Sequence, residues 1–234
     1  MKILGIISEY NPFHNGHKYH IDKSKELTGA EAVVAVMSGS FVQRGEPAFA
    51  DKWLRAQTAV MSGADLVIEN PFVYACNSAQ VFADGAVNIL DGLGCIDFLS
   101  FGSEAGSVDA LVKFASETYE FKDRLHSALE QGMTYPKAVS FAYGDYDGVM
   151  TGPNNILGIE YIKVLNRIKS GIEPVTVKRS DRGYHSYETE GIFASASKIR
   201  SIAAKGEDFS EFVPYSYKGY IGGLDYFSVM SHII

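Results

Sequence analysis

Two histidines and a glycine follow the first apolar segment of the chain. The segment EYNPFHNGH, residues 9–17, lies between the apolar run ILGIIS and a stretch with helical periodicity. In open parallel α/β sheets, ligands bind beyond the carboxyl ends of the strands, and the first amides of a following helix point toward anions. Pro12 and Gly16 suit a tight approach to such a helix start. His14 and His17 can donate N–H groups to phosphate oxygens there, so the segment is predicted to hold phosphate.

Zinc is the main alternative for these histidines, because His20 extends the series to three. On a helix, however, His14 and His20 would be separated by about 9 Å along the axis, which is too far for one ion. No cysteine pair with metal-binding spacing lies nearby, and no metal site is predicted. A role limited to helix capping or core packing is disfavoured, because the strand, Asn-Pro, His-x-Gly-His and the helix occur together.

A second polar segment, SASKIR at residues 195–200, also has groups suited to phosphate. Ser195 and Ser197 can donate hydrogen bonds, while Lys198 and Arg200 supply positive charge. The alternative is an ordinary helix that is capped by serine and carries solvated cations. The occurrence of SASKIR together with EYNPFHNGH in one chain favours the phosphate interpretation.

Alternating strand and helix patterns position both segments. This alternation predicts an α/β fold, with a mostly parallel sheet flanked by helices on both faces. The last crossover is unusually long, because three helical stretches precede the final strand. Strands are predicted at 3–7, 32–37, 64–68, 96–101 and 173–178, and helices at about 16–28, 51–62, 78–91, 107–119, 121–131, 134–143, 154–169 and 195–205.

Composition is that of a soluble enzyme, with 46% hydrophobic and 21% charged residues and a net charge of −7. No secretion signal or membrane-spanning run is visible, and Cys76 and Cys95 are interpreted as reduced core thiols, so a cytoplasmic protein without membrane contact is expected. Residues 151–205 carry nine basic and five acidic side chains, whereas the rest of the chain is acidic. An anionic partner is expected to dock on that basic segment.

The segment NPFHNGH after a first strand resembles the His-x-Gly-His loop of the nucleotidyltransferase superfamily. In that superfamily the loop holds ATP and stabilises charge on the α-phosphate during adenylyl transfer. The segment SASKIR matches a second superfamily element, a Ser/Thr-rich helix start that ends in arginine. The resemblance implies a Rossmann-like nucleotidyltransferase fold.

Further stretches narrow the resemblance to bacterial tRNA(Met) cytidine acetate ligases. These stretches, given at the end of this paragraph, occur in the family's order along residues 1 to about 213, and that order is more specific for the family than any single stretch. The resemblance implies that ATP, with accompanying Mg²⁺, activates acetate to acetyl-adenylate, and that the acetyl group passes to N4 of the wobble cytidine of elongator tRNA(Met). The stretches are VMSGSFVQRGEPA, FGSE, GPNNILGIEYIK and the KR…GYH pattern at 178–185.

The resemblance also implies a set of site residues. His14 and His17 are expected to be catalytic, through charge stabilisation at the phosphates. Asn154 and Asn155 follow Pro153 at a helix start, where one is expected to cap the helix and the other to bind the nucleotide or the reacting base. The nucleotide-binding residues are predicted to be Ile7, Ser8, Glu9, Tyr10, Asn11, Pro12, Phe13, His14, Asn15, Gly16, His17, Lys18, Tyr19, His20, Gly102, Asn154, Asn155, Lys178, Arg179, Ser195, Ser197 and Arg200.

The helix predicted near residue 52 offers further candidates. Asp51 is its predicted N-cap, and Trp53 is interpreted as a packing anchor. Lys52 and Arg55 share a face at i, i+3, where contact with phosphate or RNA and a plain surface role are both open.

Two carboxylates, Glu9 and Glu104, are candidate general bases for the cytidine amine. Attack on a mixed anhydride can also proceed without a base, so the sequence leaves this role open.

Residues 1–205 are predicted to form the ATP-binding catalytic domain, and 206–234 the start of a C-terminal helical region. The final stretch DYFSVMSHII resembles the beginning of an amphipathic helix without a stop signal, so this region is expected to be incomplete and tRNA binding weakened. The oligomeric state is left open.

Two other functions fit parts of the sequence. One is an adenylyltransferase that acts on a phosphomonoester such as a nicotinamide or pantetheine precursor. The other is a non-catalytic nucleotide-binding module, which the presence of both phosphate-holding segments disfavours.

Overall fold

Five parallel strands form a single sheet with helices packed on both of its faces. The computed structural model describes residues 1–116, 119–144, 149, 152–179 and 192–214. The strands are β1 (Ile3–Ser8), β2 (Ala32–Ser38), β3 (Leu66–Asn70), β4 (Phe98–Ser103) and β5 (Glu173–Lys178).

The strand order is β3-β2-β1-β4-β5, with β1 at the centre. The chain moves outward from β1 through β2 and β3, then returns to β4 on the other side of β1. The strand order therefore reverses between β1 and β4. Ligands of open α/β sheets bind at such a reversal, beyond the carboxyl ends of the strands.

Helices connect these strands, and the described part of the long crossover from β4 to β5 contains four of them. The helices are α1 (Asn15–Thr28), α2 (Lys52–Met61), α3 (Phe72–Ala75), α4 (Ala79–Gly92), α5 (Val108–Ala115), α6 (Tyr119–Glu130), α7 (Tyr135–Tyr143), α8 (Pro153–Ile168) and α9 (Ala196–Ala204), with a 3₁₀ turn at Ser210–Phe212.

Successive residues of each strand face opposite sides of the sheet, which divides the core in two. Val33 of β2 packs in the cluster that contains residues of α1 and α2, and its neighbour Val34 packs in the cluster that contains residues of α4 and α8. A smaller cluster joins Ile199 and Ile202 of α9 to Leu54 of α2. This third cluster places α9 near the segments that follow β1 and β2.

The α/β fold predicted from the alternation of elements is confirmed, including the long last crossover. The helix predicted at 107–119 instead ends at Ala115, because Ser116 adopts an extended conformation. The short helix α3 was not predicted. Cys95 is exposed, so its interpretation as a core thiol is wrong, while Cys76 is partly buried and both thiols are free.

Within the described part of the chain, every helix is too short or too polar to span a membrane. The predicted helix start at 225–234 and the GYH stretch at 183–185 lie outside the described residues.

Candidate active site

The two histidines of the first loop cap α1 by exchanging hydrogen bonds with the backbone. His14 is the N-cap, and its Nδ1 accepts from the amide of Gly16 over 3.0 Å. The amide of His14 in turn donates to Nδ1 of His17 over 3.2 Å. This is a reciprocal capping box in which imidazole nitrogens replace the usual hydroxyl and carboxylate.

These bonds determine the tautomers of both rings. Because each Nδ1 accepts a hydrogen bond, the proton of each neutral ring is assigned to Nε2. The rings of His14 and His17 stack with centroids 3.8 Å apart. Neither Nε2 has a hydrogen-bond partner among the described residues. The helix start thus presents two N–H donors from adjacent, stacked rings.

The environment keeps these histidines neutral at physiological pH. Burial, with the charge of Arg179, lowers the pKa of His14 to about 3. Burial, then His14, Arg179 and His20, hold the pKa of His17 well below its usual range. Burial and Arg179 lower the pKa of His20 to about 4. The rings are therefore neutral donors at this pH, with Arg179 as the nearby positive charge.

Aromatic packing and an unusual backbone fix the shape of the loop. Tyr10 has φ of 48°, in the left-handed region that non-glycine residues rarely occupy, and the Asn11–Pro12 peptide is cis. The rings of Tyr10 and Phe13 lie 5.0 and 5.4 Å from the ring of His17. Tyr10 and Phe13 are themselves buried, so His17 is held against the core.

The segment SASKIR contacts this loop. Ser195 caps α9 by accepting from the amide of Lys198 over 3.2 Å. Arg200 donates through Nη1 to the carbonyl of Asn11 over 2.7 Å and lies 3.4 Å from Oγ of Ser197 through Nη2. One function of Arg200 is therefore to hold the first loop against α9.

The carboxyl ends of β4 and β5 bring Arg179 toward the histidines. The amide of Arg179 donates to the carbonyl of Ser103 over 2.7 Å. Its side chain crosses Gly102, where an added Cβ would lie 2.8 Å from Cδ of Arg179. The absence of a side chain at residue 102 is thus required for this path. Lys178 instead packs over Gly106, away from Gly102.

The geometry of the first loop and a match to a family model together place the chain in a family. The family described as HIGH nucleotidyl transferase matches residues 1–222. The chain belongs to this family. Its first loop supplies the His-x-Gly-His element that a HIGH nucleotidyl transferase carries at the start of α1.

Relatives of known function are similar over most of this HIGH nucleotidyl transferase chain. It is 51% identical to a tRNA(Met) cytidine acetate ligase of Caldicellulosiruptor saccharolyticus over 207 residues, which is 86% of this chain and 52% of the relative. It is 49% identical to the ligase of that name from Thermoanaerobacter sp. over 92% of this chain and 56% of the relative. The chain therefore spans about half the length of the curated relatives it matches.

A solved structure shares the fold. The crystal structure of Thermotoga maritima TmcAL bound with alpha-thio ATP superposes with a TM-score of 0.85 at 36% identity. The match covers 95% of this chain and 55% of that protein. An apo structure of the same protein gives a TM-score of 0.84. The Rossmann-like nucleotidyltransferase fold expected from the sequence is confirmed.

In this HIGH nucleotidyl transferase, Glu104 supplies the cap of α8. Its Oε1 accepts from Nδ2 of Asn154 over 2.6 Å, and its Oε2 accepts from the amide of Asn155 over 2.8 Å. Asn155 is only 3% exposed, and its side chain bonds to the amide of Ala105 and the carbonyl of Val149. The prediction that an asparagine caps this helix is wrong, because Glu104 reaches the free amides from β4.

Arg55 is the residue whose position the sequence left most open. It is fully buried, and its guanidinium donates to the carbonyls of Glu9 over 2.7 Å and Ser38 over 3.0 Å, and to those of Gly39 and Ala50. It therefore joins the loops that follow β1 and β2. The signal in the sequence was its spacing from Thr58 and Ala59, which places all three on one helix face.

Other predicted residues have mainly structural contacts in the described part of the chain. Ile7 packs in the core, and Asn15 donates to the carbonyls of residues 192 and 211. Lys18 pairs with Asp22 on the surface of α1. The ring of Tyr19 lies against Phe193.

His20 is tied to the sheet beneath it. Its Nε2 lies 3.0 Å from Oγ of Ser100 on β4, which also bonds to Oγ of Ser24 over 2.7 Å.

At the start of α2, the structure confirms the interpretation of one residue and contradicts that of another. Asp51 caps the helix through the amides of Trp53 and Leu54, as predicted. Trp53 is 75% exposed, with Lys52 5.4 Å above its ring, so its interpretation as a packing anchor is wrong.

Proposed function

We propose that this chain uses ATP to activate acetate as acetyl-adenylate and transfers the acetyl group to N4 of the wobble cytidine of elongator tRNA(Met). The observation that carries the proposal is the capping box of His14 and His17, which leaves two Nε2–H donors at the start of α1. The names of the relatives and the ATP analogue bound to the Thermotoga protein support the choice of substrates.

The first step joins acetate to the α-phosphorus of ATP. An acetate oxygen forms a bond to that phosphorus, the bond from phosphorus to the bridging oxygen breaks, and pyrophosphate leaves. Negative charge builds on the phosphate oxygens as this happens, and fixed donors that face it lower the barrier. The Nε2–H donors of His14 and His17, with Arg179 beside them, have the chemistry for this role.

Mg²⁺ is proposed to accompany ATP and to be held chiefly by phosphate oxygens and water. Among the described residues, no three His, Cys, Asp or Glu side chains converge on a point where they could hold a metal ion. The residues of this chain would then orient the phosphates, and the ion would neutralise part of their charge.

The location and organisation of the site are part of the proposal. A tRNA substrate and two free cysteines support a cytoplasmic protein. Residues 1–205 are proposed to be the ATP-binding catalytic domain. Net positive charge in residues 151–205 supports tRNA docking on that side.

The test is exchange of labelled pyrophosphate into ATP, measured with and without acetate, followed by nucleoside analysis of tRNA(Met) after incubation with ATP and labelled acetate. We expect exchange that depends on acetate and label in N4-acetylcytidine. Exchange that ignores acetate and responds to a phosphomonoester would instead establish the adenylyltransferase alternative. ATP binding without any exchange would establish a non-catalytic nucleotide-binding module.

A further inference from the structure

Glu9 lies directly after β1, on the loop that leads to His14, and its backbone is firmly held. Its carbonyl accepts from Nη1 of the buried Arg55 over 2.7 Å. The same Nη1 donates to the carbonyl of Ser38 over 3.0 Å, which keeps the ends of β1 and β2 together. Glu9 therefore cannot move without disturbing a buried arginine.

The carboxylate of Glu9 is oriented from one side only. A hairpin formed by residues 40–48 follows β2, closed by the Ala48 to Ser40 and Val42 to Glu46 backbone bonds. At its tip, the amide of Gln43 donates to Oε1 of Glu9 over 2.8 Å. Oε2 has no hydrogen-bond partner among the described residues. One oxygen is thus fixed, and the other is free to accept a proton.

Hydroxyl groups near Glu9 also lack partners. Tyr161 of α8 is 3% exposed, and burial together with the charge of Glu9 raises the pKa of its phenol, so it stays protonated. Its hydroxyl makes no hydrogen bond within the described part of the chain. The buried Oγ of Ser38 is also unpaired there. Ser38 is joined to Glu9 through Nη1 of Arg55, and its unpaired buried hydroxyl indicates a place for a polar ligand beside this loop, because buried polar groups are nearly always hydrogen-bonded.

The other candidate base, Glu104, is already occupied. Its two oxygens accept from Asn154 and from the amide of Asn155. Partial burial raises the pKa of Glu104, but these hydrogen bonds outweigh burial and place it below the usual value. A carboxylate that caps a helix through both oxygens is a poor proton acceptor.

We propose that Glu9 is the general base for acetyl transfer, an assignment that rests on the function proposed above. The lone pair of a cytosine N4 amine is delocalised into the ring, so its attack is helped by removal of a proton. N4 forms a bond to the carbonyl carbon of acetyl-adenylate, and the bond from that carbon to the phosphate oxygen breaks, releasing AMP. The proton lost from N4 passes to Oε2 of Glu9 and then to solvent.

The test separates activation from transfer with Glu9→Gln, which keeps an oxygen for the Gln43 amide but cannot take the proton. Activation is measured as acetate-dependent pyrophosphate exchange and as acetohydroxamate formed with hydroxylamine, a nucleophile strong enough to need no base. Transfer is measured as single-turnover acetylation of elongator tRNA(Met) with enzyme in excess. We expect transfer slower by roughly a hundredfold to ten-thousandfold, and a much smaller loss in both activation readouts.

Glu46→Gln is the matched control, since Glu46 is an exposed carboxylate of the same hairpin and should leave all three readouts unchanged. Normal transfer by Glu9→Gln, or equal loss of activation and transfer, overturns the role of Glu9 and leaves the proposed function in place. Wild-type protein without acetate-dependent exchange or without transfer overturns the proposed function, and this assignment with it.

Discussion

The amide of His14 donates to Nδ1 of His17 over 3.2 Å, and this single bond links the folding of α1 to its chemistry. It satisfies one of the free amides at the helix start. It also forces the proton of His17 onto Nε2, the nitrogen that faces away from the backbone. One nitrogen of the ring thus serves the fold and the other is left for a ligand, so the two roles can be separated by substitution.

Asparagine and glutamine at residue 17 both keep the cap but differ in the donor they leave. His17→Asn keeps an oxygen near the position of Nδ1, so it retains the bond from His14 but loses the Nε2–H donor. His17→Gln can accept from the amide of His14, as glutamine does in a usual capping box, and its longer side chain still carries an N–H donor. We expect His17→Asn to lower acetate-dependent exchange by roughly a hundredfold to a thousandfold, the usual effect of removing one transition-state donor. His17→Gln should retain more activity than His17→Asn.

Thermal unfolding supplies the complementary measurement for these variants. Both variants should stay within about 1 kcal/mol of wild type, the typical cost of a lost N-terminal cap, because each keeps an oxygen for the amide of His14. An asparagine variant that is as active as wild type would show that His17 acts only through capping.

Acid should destabilise the protein through the same histidines. The pKa of His14 is about 3 in the folded protein, against 6.5 for the free side chain. Below pH 6.5 the unfolded chain takes up a proton that the folded protein does not. The contribution of His14 to the free energy of unfolding is therefore fully present above pH 6.5 and is lost as the pH falls toward about 3. The slope is on the order of 1.4 kcal/mol per pH unit for this one residue. His17 and His20 act in the same direction.

Urea unfolding at pH 7.5 and 5.5 measures this effect. We expect a lower free energy of unfolding at pH 5.5, and a smaller drop in His14→Asn, whose oxygen can still accept from Gly16. His126 is exposed on α6, and His126→Gln is the control that should leave the drop unchanged. Equal stability of the wild type at both pH values would mean that the histidines are free to protonate in the folded state.

The sequence was sufficient for most of the fold because periodicity reflects which faces are buried. Residues 173–178 were predicted as a strand and form β5 with those bounds. The predicted helix at 107–119 failed at Ser116, where the chain turns into an extended conformation. The amphipathic pattern continues across this break, since both sides of it pack on the core, so periodicity alone cannot locate the change of direction.

The positions of some site residues could not be predicted from the sequence, because their contacts are with distant elements of the chain. The charge of Arg55 suggested a surface, yet carbonyls at the ends of β1 and β2 converge on it only in the folded chain. Glu104 caps a helix that begins some fifty residues later, which no local capping pattern can show. His14 and Gly16, by contrast, act within one helical turn; the helix start there was predicted, but the capping bond between these two residues was not.

Arg55 should be essential for stability because its removal leaves several buried carbonyls without donors. Arg55→Lys keeps the charge, but a single ammonium cannot reach carbonyls that lie around a planar guanidinium. We expect a loss of about 2–4 kcal/mol in the free energy of unfolding, measured by urea denaturation.

Lys52→Ala is the control for that measurement, since Lys52 lies on the same helix in an exposed pair with Glu69. Its cost should stay below about 1 kcal/mol. If Arg55→Lys is as mild as Lys52→Ala, the guanidinium does not hold the two loops together.

Gly102 is expected to act on ATP binding through Arg179. A Cβ at residue 102 would lie 2.8 Å from Cδ and 3.0 Å from Cγ of Arg179, so Gly102→Ala should displace a flexible side chain at little cost to folding. A ligand that binds only the folded state raises its stability, and losing one charged contact weakens binding by roughly tenfold to a hundredfold.

Gly102→Ala and Arg179→Ala should each reduce the ATP-induced rise in Tm. The double variant should match Arg179→Ala alone, because without the Arg179 side chain the alanine at residue 102 has nothing to displace. Lys25→Ala, which removes a charge from the last turn of α1, far from its N-terminal cap, should keep the full rise. Additive losses in the double variant would mean that Gly102 meets the nucleotide directly, and an undiminished rise in Arg179→Ala would place Arg179 outside the nucleotide site.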